Sequence, residues 1–477
     1  MIIKGETKII LTDKSGKREV YRDTNMMTNA LVEHLENCGF LNTPNVNQNN
    51  LIEQLLGGIM AFDNTITENA SQTFVPAGLR MTANGCIGVD NDGIPLELGS
   101  YNDVQSGWIN NKYVQTYDYT YTQANGTIAC VCLTGKDWGY VGEGNSLENS
   151  GVASTQKQPS LYGTPTNYRI LGVPCRLSLT DSSIYGIDFS DVSNGNITIR
   201  KYRLPINEIN VQGTQDAPYM LSETTISAPT GFPAVKDSDS YVPCVSRGTV
   251  YDTGETLAIL SVNSDGSTWG SGYTQTLWEI DPVNATITTS TLANTSGDTL
   301  HAMCFPIWFG KDKVAFIDGY DGYTYGSSYG LRDGRKIYSM SRTGGTWGNM
   351  RSCTNPIGAS TENNDCGWVS PNRVTSGRAL VFGSTGDIMY DFTLNEAYQV
   401  NGYHNNRIQE SLDAPMIGYK SLSYYDSGVI YYQLNLYRHE SYIATINNLT
   451  TPITKTAQKT MVIVYTLTFL DTDTTSS

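Results

Sequence analysis

Residues 276–287 read TLWEIDPVNATI, and this stretch decides how the second half of the chain is interpreted. Apolar Leu277, Trp278 and Ile280 alternate with polar residues, and the alternation resumes after Asp281-Pro-Val-Asn284. Proline presets φ for the first corner of a turn, and the short polar side chains of Asp and Asn hydrogen-bond nearby backbone. The stretch therefore predicts a strand, a turn and a second strand.

Similar units recur along the second half of the chain. Each begins with a short apolar run and continues with a second alternating segment. The first runs are IYGID at 184–188, TLAIL at 256–260, KVAFI at 313–317, RALVF at 378–382 and GVIYY at 428–432. The second segments include 197–204, 336–340, 387–392 and 441–446. Repeats of roughly 40–50 residues are typical of β-propeller blades, so these unequal units predict blades with long loops.

The repeats therefore predict a β-propeller-like domain over residues 165–450, with about five or six blades. The alternative is an ordinary β-sandwich, because short strands separated by Gly, Asn and Asp turns fit either architecture. Residues 142–167 are rich in Gly, Ser and Gln and poor in apolar residues, which places a domain boundary there.

The first part of the chain predicts a second, mainly β domain. Residues 7–12 form a strand that turns at 13–16 and returns near 19–22, and Asn25 caps a helix over 26–37. A second helical stretch covers 51–60 and is interrupted by Gly57-Gly58. Strands at 115–122 and 127–134 flank Ala124-Asn125-Gly126, a strong hairpin signal.

Residues 459–469 form one long apolar strand that has no partner nearby in sequence. An unpaired strand of this kind promotes aggregation, so we expect it to pair with the strand at 7–12. Residues 1–145 and 455–477 together then form one split β domain.

Composition excludes several classes of function. The net charge is −15 and the sequence has no basic run, which argues against nucleic-acid binding. No stretch of 18 apolar residues occurs, and Lys4, Glu6 and Lys8 break the first apolar residues, so neither membrane insertion nor a signal peptide is expected. The nine scattered cysteines contain no CxxC pair and are typical of reduced core residues, which favours folding in a cytoplasm without metal or cofactor.

The most distinctive candidate site is a Gly- and Tyr-rich segment between the two strands of one repeat. Tyrosine gives rigid amphipathic contact area, and paired carboxylates either accept hydrogen bonds from sugar hydroxyls or hydrolyse glycosides. The same pattern also fits packing between blades, or turns supported by Asp. The candidate ligand-binding residues are Asp318, Tyr320, Asp321, Tyr323, Tyr325 and Tyr329, and no catalytic residue is identified.

Several of these stretches resemble virion proteins from phages and prophages of Gram-positive bacteria. The resemblance rests on ETKIILTD at 6–13, NMMTNAL at 25–31, LLGG at 55–58, QANGTI at 123–128 and the closing strand at 460–469. It covers mainly the first ~145 and last ~20 residues. Such proteins are described as tail, tail-fibre or other structural proteins, and none of the shared motifs is catalytic.

The resemblance implies a phage virion structural protein: a tail-fibre, tail-tip or receptor-binding protein that recognises the host cell surface. It further implies a location in the virion, with synthesis in the host cytoplasm and release by lysis. Its partners would be other virion proteins and a host surface glycan or teichoic acid, and a trimer is the expected oligomer. Two alternatives stay open: a passive head-decoration or tail-scaffold protein, and an enzyme that depolymerises surface polysaccharide.

Overall fold

The computed structural model describes most of the strands and part of the loops of this chain. The described residues are 2–32, 51–76, 78–91, 93, 96–141, 168–204, 219–233, 249–260, 268–301, 305–317, 336–354, 367–369, 378–383, 386–400, 409–410, 417–426, 429–438 and 442–470. Within them the chain is mainly β, as the sequence predicts, and the strands form several separate sheets.

The chain divides into two compact units. The first unit contains Met1–Lys157, Tyr398–Tyr403 and Glu440–Ser477, and the second contains Gln158–Ala397 and His404–His439. The C-terminal part of the first unit thus begins near residue 440, earlier than the expected residue 455.

Before residue 142, the described part of the first unit contains nine strands and two short helices, besides helical residues 30–32. Its helices are α1 (Leu51–Leu56) and α2 (Lys136–Val141), and a 3-10 turn covers Asp103–Gln105. The strands are β1 (Ile2–Asp13), β2 (Arg18–Thr24), β3 (Met26–Met27), β4 (Gly58–Phe62), β5 (Met81–Cys86), β6 (Ser100–Tyr101), β7 (Gly107–Ile109), β8 (Lys112–Tyr119) and β9 (Gly126–Thr134).

The second unit contains β10 (Tyr168–Leu171) and five further groups of strands. The first group is β11 (Val173–Ser178), β12 (Ser183–Asp188), β13 (Asn196–Arg203) and β14 (Tyr219–Ser227). The second is β15 (Thr249–Asp252), β16 (Leu257–Leu260), β17 (Thr268–Trp269), β18 (Thr274–Asp281), β19 (Thr286–Ala293) and β20 (Leu300–His301). The third is β21 (Phe305–Trp308), β22 (Lys313–Ile317), β23 (Lys336–Thr343), β24 (Thr346–Trp347) and β25 (Arg351–Thr354).

Two more groups complete the second unit, and two long strands return to the first. The fourth group is β26 (Gly367–Val369), β27 (Arg378–Gly383), β28 (Gly386–Asp391) and β29 (Glu396–Val400), of which residues 398–400 are assigned to the first unit. The fifth is β30 (Gln409–Glu410), β31 (Ile417–Asp426) and β32 (Val429–Arg438). The returning strands are β33 (Thr445–Lys455) and β34 (Lys459–Leu470).

The first unit is built from two sheets. One has the order β2-β1-β34-β8-β6, with β7 also paired to β8, and the other has the order β3-β33-β9-β4-β5. The side chain of Tyr465 on β34 donates a 2.6 Å hydrogen bond to Thr445 Oγ1 on β33, which joins the two sheets through their buried faces. The predicted return of the C-terminal strand is confirmed, since Ile9 pairs with Ile463 and Thr12 with Thr460.

The hairpin predicted around Asn125-Gly126 is wrong. Both strands exist, but β8 pairs with β34 in one sheet and β9 pairs with β33 and β4 in the other. The connecting residues therefore cross between sheets. Buried Gln123 holds the crossing by donating from Nε2 to the carbonyl of Leu98 at 2.8 Å.

The helix predicted over 26–37 is also wrong at its start. Met26 and Met27 form a short strand that pairs with Ile446 and Thr445, and helical residues begin only at Ala30. A tertiary pairing to a strand more than 400 residues away has overridden the local capping signal of Asn25. The second predicted helix, over 51–60, is confirmed only over Leu51–Leu56; from Gly58 the chain forms β4, so the prediction is wrong for its last three residues.

In the described residues of the second unit, the strands form a succession of small antiparallel sheets of the kind that a β-propeller has. Each of the five groups contains an antiparallel sheet, the second group adds the separate two-stranded ribbon β17-β20, and β10 completes the fifth sheet in the order β10-β32-β31-β30. The first strand of the unit thereby joins its last sheet, which ties the two ends of the array together. This arrangement of separate small sheets distinguishes a propeller from the alternative two-layer sandwich.

Neighbouring sheets of the second unit pack through apolar side chains. Leu177 packs with Tyr419 between the first and fifth sheets, and Ile187 packs with Ile259 between the first and second. Leu277 belongs to one buried cluster with Val314, which joins the second and third sheets. Phe309 lies 5.1 Å from the ring of Phe392, between the third and fourth sheets.

The sequence repeats map onto these sheets with one exception. Residues 184–188, 256–260, 313–317 and 378–382 fall on the second strand of the first four sheets, and 428–432 falls on the third strand of the fifth. Residues 441–446, interpreted as a blade segment, instead lead into β33 of the first unit. Alternation of apolar residues identifies this segment as a strand but does not specify its partner.

The turn at 281–284 recurs in the fourth sheet. Asp281 Oδ1 accepts hydrogen bonds from the backbone N–H groups of Val283 and Asn284, and Asp391 Oδ1 accepts the equivalent bonds from Thr393 and Leu394. The fifth residue of each turn is left-handed, with φ of 52° at Ala285 and 54° at Asn395. The two hairpins therefore share one turn geometry.

Candidate functional site

The candidate binding residues chosen from the sequence lie outside the described residues. Asp318, Tyr320, Asp321, Tyr323, Tyr325 and Tyr329 all fall in the segment 318–335. This segment joins β22 to β23, the second and third strands of the third sheet. The structure describes the residues on either side of this segment. We call these flanking residues the frame, and they define the candidate site.

Asp298 anchors the strand that follows the loop. Its Oδ2 accepts a 2.8 Å bond from Lys336 Nζ and a 3.0 Å bond from Tyr338 Oη. The hydrogen bond from Lys336, followed by that from Tyr338, lowers the pKa of the Asp298 carboxyl. Asp298 thus stays ionised at neutral pH and holds the start of β23 beside the preceding sheet.

A two-stranded ribbon lies next to this anchor. It pairs Thr268 with His301 and Trp269 with Leu300. Trp269 is buried and packs edge-on against Phe316 of β22, with ring centroids 5.4 Å apart. The ribbon and β22, the strand that precedes the predicted loop, therefore share one core.

Tyr273 is the exposed aromatic residue of this frame. Its side chain is 64% exposed, and it follows Gly270-Ser-Gly272, where Gly272 has φ of 81°. The Tyr273 carbonyl accepts a 2.9 Å bond from Trp269 Nε1, so the backbone that carries the exposed ring is fixed to the core. Sequence analysis missed Tyr273, although GSGY has the same Gly, Ser and Tyr composition as the predicted loop.

Asn294 closes the other side of the frame. It is fully buried, and its Nδ2 donates to the carbonyls of Trp269 and Asp298 at 2.7 and 2.9 Å. Its Oδ1 accepts from both the backbone and the hydroxyl of Ser296. These hydrogen bonds of Asn294 hold the backbone of the loop that carries Asp298. Binding loops require a rigid scaffold of this kind.

The opposite end of the same sheets carries a network of ion pairs. Arg342 of β23 pairs with Glu279 of β18 and with Asp312, and its guanidinium lies 5.1 Å from the Trp347 ring. Lys311 pairs with Glu255 at 2.8 Å. These pairs join the turns of the second sheet to those of the third, so their role is to hold adjacent sheets together.

The described groups show no arrangement suited to metal or thiol chemistry. Within the described ranges, no three His, Cys, Asp or Glu side chains lie close enough together to hold a metal ion. Burial raises the pKa of the Cys132 and Cys175 thiols well above the ordinary value and that of Cys353 to about 11, so these cysteines are protonated at neutral pH. A protonated buried thiol is a poor nucleophile. Among the described helices none has the length and apolar character of a membrane span.

Comparison with known proteins identifies no family for this chain. No family model matches the chain, and no curated protein matches it. Among solved structures, the Pyrococcus horikoshii acylaminoacyl peptidase aligns with 68% of this chain and 43% of its own length, at 11% identity and a TM-score of 0.25. The chain thus spans less than half of that peptidase.

Two further solved structures are similar at the same low level. The exo-beta-1,3-galactanase from Phanerochaete chrysosporium aligns with 76% of this chain and 94% of its own, at 9% identity and a TM-score of 0.23. A post-proline cleaving enzyme from Rickettsia typhi aligns with 86% of this chain and 60% of its own, at 10% identity and a TM-score of 0.19. TM-scores of this size establish no common fold, and no activity is transferred from these enzymes.

Proposed function

We propose that this chain is a bacteriophage virion structural protein of the tail-fibre, tail-tip or receptor-binding kind, which recognises the host cell surface. The split β unit attaches to other virion proteins, and the five-sheet unit presents its loops to a host surface glycan or teichoic acid. The observation that carries the proposal is the pair of hydrogen bonds by which Asp298 holds Lys336 and Tyr338, at the start of the strand that follows the 18-residue Gly- and Tyr-rich segment 318–335.

Three features support a binding role for this end of the unit. Asp298 and Asn294 hold the scaffold rigidly, which lowers the entropy cost of binding. Tyr273 presents an exposed ring there, and the sequence places four more tyrosines in residues 318–335, between β22 and β23. Flat tyrosine faces suit the apolar faces of sugar rings, and Asp carboxylates accept hydrogen bonds from sugar hydroxyls.

The proposal describes a binding protein and not an enzyme. The Asp298 carboxylate, described at this end of the sheets, is engaged in structural contacts with Lys336 and Tyr338. Glycoside hydrolysis needs two carboxyl groups on either side of the bond to be cleaved. Asp318 and Asp321 are the residues through which the alternative polysaccharide depolymerase would act.

The test is to incubate the purified chain with envelope material from Gram-positive host strains. Retention of the chain on intact cells, and loss of retention after removal of teichoic acid or surface glycan, is the expected result. Release of reducing sugar would instead identify a depolymerase. A chain that binds no cell or envelope fraction, yet assembles into particles, would identify a passive decoration or scaffold protein.

A further inference from the structure

The chain contains four Asn-Gly dipeptides, and one of them lies beside a buried ammonium group. An asparagine that precedes glycine is open to deamidation, because the next backbone nitrogen can attack the side-chain Cγ and glycine has no side chain to block the approach. The four dipeptides are Asn84-Gly85, Asn125-Gly126, Asn194-Gly195 and Asn401-Gly402. The last lies outside the described residues, so three can be compared.

Lys455 brings a positive charge to the carboxamide of Asn125. It is the register partner of Gly126 in the pairing of β33 with β9, and only 1% of its surface is exposed. Its Nζ donates to Asn125 Oδ1 at 3.0 Å and to the carbonyl of Tyr121 at 3.1 Å. Within the described part of the chain, Lys455 binds uncharged oxygens and no carboxylate. A buried ammonium group without a counter-charge favours any negative charge that develops beside it.

Hydrogen bonds hold the carboxamide of Asn125 with its oxygen toward Lys455. Asn125 Nδ2 donates to the carbonyls of Tyr121 and Thr122 at 3.2 and 2.9 Å. Burial lowers the pKa of Lys455 to about 8, so its side chain is still mostly an ammonium ion at neutral pH. Asn125 itself is exposed, so water has access to it. The carboxamide is therefore polarised by a charged donor and open to hydrolysis.

We propose that Asn125 is a deamidation site whose conversion is promoted by Lys455. The backbone nitrogen of Gly126 attacks Cγ of Asn125 and loses its proton, the Cγ–Nδ2 bond breaks, and the side-chain nitrogen leaves as ammonia. Water then opens the succinimide ring and gives aspartate or isoaspartate. The Lys455 ammonium stabilises the negative charge that develops on Oδ1 during the attack, as a donor in an oxyanion hole does. Water is the only other reactant.

The product supplies the counter-charge of Lys455. Residues 120–125 connect β8 in one sheet with β9 in the other, and Lys455 ends β33, the neighbour of β9. A carboxylate at position 125 forms an ion pair with Lys455 across this connection. The modification thus adds one negative charge where the chain crosses between the two sheets of the first unit.

The two other described dipeptides lack this environment. Asn84 is only 2% exposed, and its Nδ2 donates to two backbone carbonyls near the end of α2. Asn194 is exposed, but its Nδ2 donates to the Asp191 carboxylate at 2.5 Å, which opposes negative charge on the carboxamide. The Gly195 N–H, the nucleophile there, is already donated to a backbone carbonyl at 3.0 Å. Both sites therefore serve as internal comparisons.

Peptide mapping by mass spectrometry tests the proposal on the full chain, incubated at neutral pH for increasing times. Asn125 should convert about tenfold or more faster than Asn194, and Lys455→Met should remove that difference, because the oxyanion loses its charged donor. The rate at Asn194 should not change in this variant. Lys459→Met is the matched control, since Lys459 pairs with Glu19 instead, and it should leave conversion at Asn125 unchanged.

Three outcomes would overturn the proposal. Asn125 that converts no faster than Asn194 in the natural chain is not a preferred site, and this comparison needs no variant to fold. Equal rates at Asn125 in the natural chain and in Lys455→Met, with the fold of both checked by circular dichroism, would leave Lys455 without a role. Loss of ammonia with the Asn125 and Lys455 peptides joined would show that the lysine amine attacks Cγ in place of the Gly126 nitrogen.

Discussion

Tyr419 Oη donates a 2.7 Å hydrogen bond to Asp252 Oδ2, although 167 residues separate the two in sequence. Tyr419 lies on β31 of the fifth sheet and Asp252 ends β15 of the second, and both are buried. The same hydroxyl lies 3.1 Å from the carbonyl of Pro174 on β11 of the first sheet. One side chain therefore connects three sheets and fixes the closure of the array.

Tyr419→Phe should destabilise the second unit by about 1–3 kcal/mol, because a buried carboxylate loses a hydrogen-bond donor. Urea unfolding followed by tryptophan fluorescence measures the change. Tyr273→Phe is the control, since its exposed hydroxyl should change stability by less than about 0.5 kcal/mol. Equal stability of the two variants would show that the Tyr419 bond does not contribute to closure.

Arg342→Met should destabilise the contact between the second and third sheets by about 3–5 kcal/mol, because it leaves Glu279 buried without its charged partner. The side chain of Glu279 is only 5% exposed, so water cannot replace the guanidinium. Lys201→Met serves as the comparison: its partner Asp181 is half exposed, and the expected loss is at most about 1 kcal/mol. Similar losses for both variants would contradict the inferred difference in burial.

Lys455 should make stability depend on pH in the alkaline range. Its side chain is buried, its Nζ donates to the carbonyl of Tyr121 and to Asn125 Oδ1 at 3.1 and 3.0 Å, and burial lowers its pKa from 10.5 to about 8. The unfolded chain therefore binds more protons between pH 8 and 10.5. In that window Lys455 makes the free energy of unfolding rise by up to about 1.4 kcal/mol per pH unit. Below pH 8 the contribution of Lys455 to the free energy of unfolding is constant.

Denaturant titrations of the natural chain and Lys455→Met at several pH values isolate this effect. The tyrosines titrate in both proteins, so their difference in unfolding free energy reports Lys455 alone. The difference should move in favour of the natural chain as the pH rises through the window. A difference that is independent of pH would show that Lys455 keeps its ordinary pKa in the folded chain.

The double variant Tyr323→Ala, Tyr325→Ala should lose retention on host cells while it folds and assembles normally. The stacking surface is removed, but the anchors Asp298 and Asn294 are untouched. Val283→Ala is the matched control, because Val283 is 52% exposed in the turn between β18 and β19, at the other end of the sheets. Undiminished retention of the double variant would assign the 318–335 loop a packing role.

The candidate site was only partly predictable from sequence. The Gly- and Tyr-rich composition of residues 318–335 identifies a loop between two strands, and the structure confirms strands on either side, at Lys313–Ile317 and Lys336–Thr343. The anchoring role of Asp298 could not be inferred, because it depends on an ion pair to Lys336, 38 residues further along the chain. An isolated Asp in a polar loop gives no local signal of such a partner.

The sequence by itself determined the strands of the repeats and of both ends of the chain, but it assigned the residues of β3 to a helix. The alternation around Asp281 gave the β18–β19 hairpin and its turn, and the apolar run at 459–469 gave a long strand that needed a distant partner. Only the tertiary structure decided which strands pair: β8 and β9 separate into different sheets, and β33 joins the first unit. The physical reason is that period-two alternation specifies which face of a strand is buried. The buried faces are all apolar, so the alternation does not specify which strand pairs with which. The partner is selected by packing and chain closure over hundreds of residues.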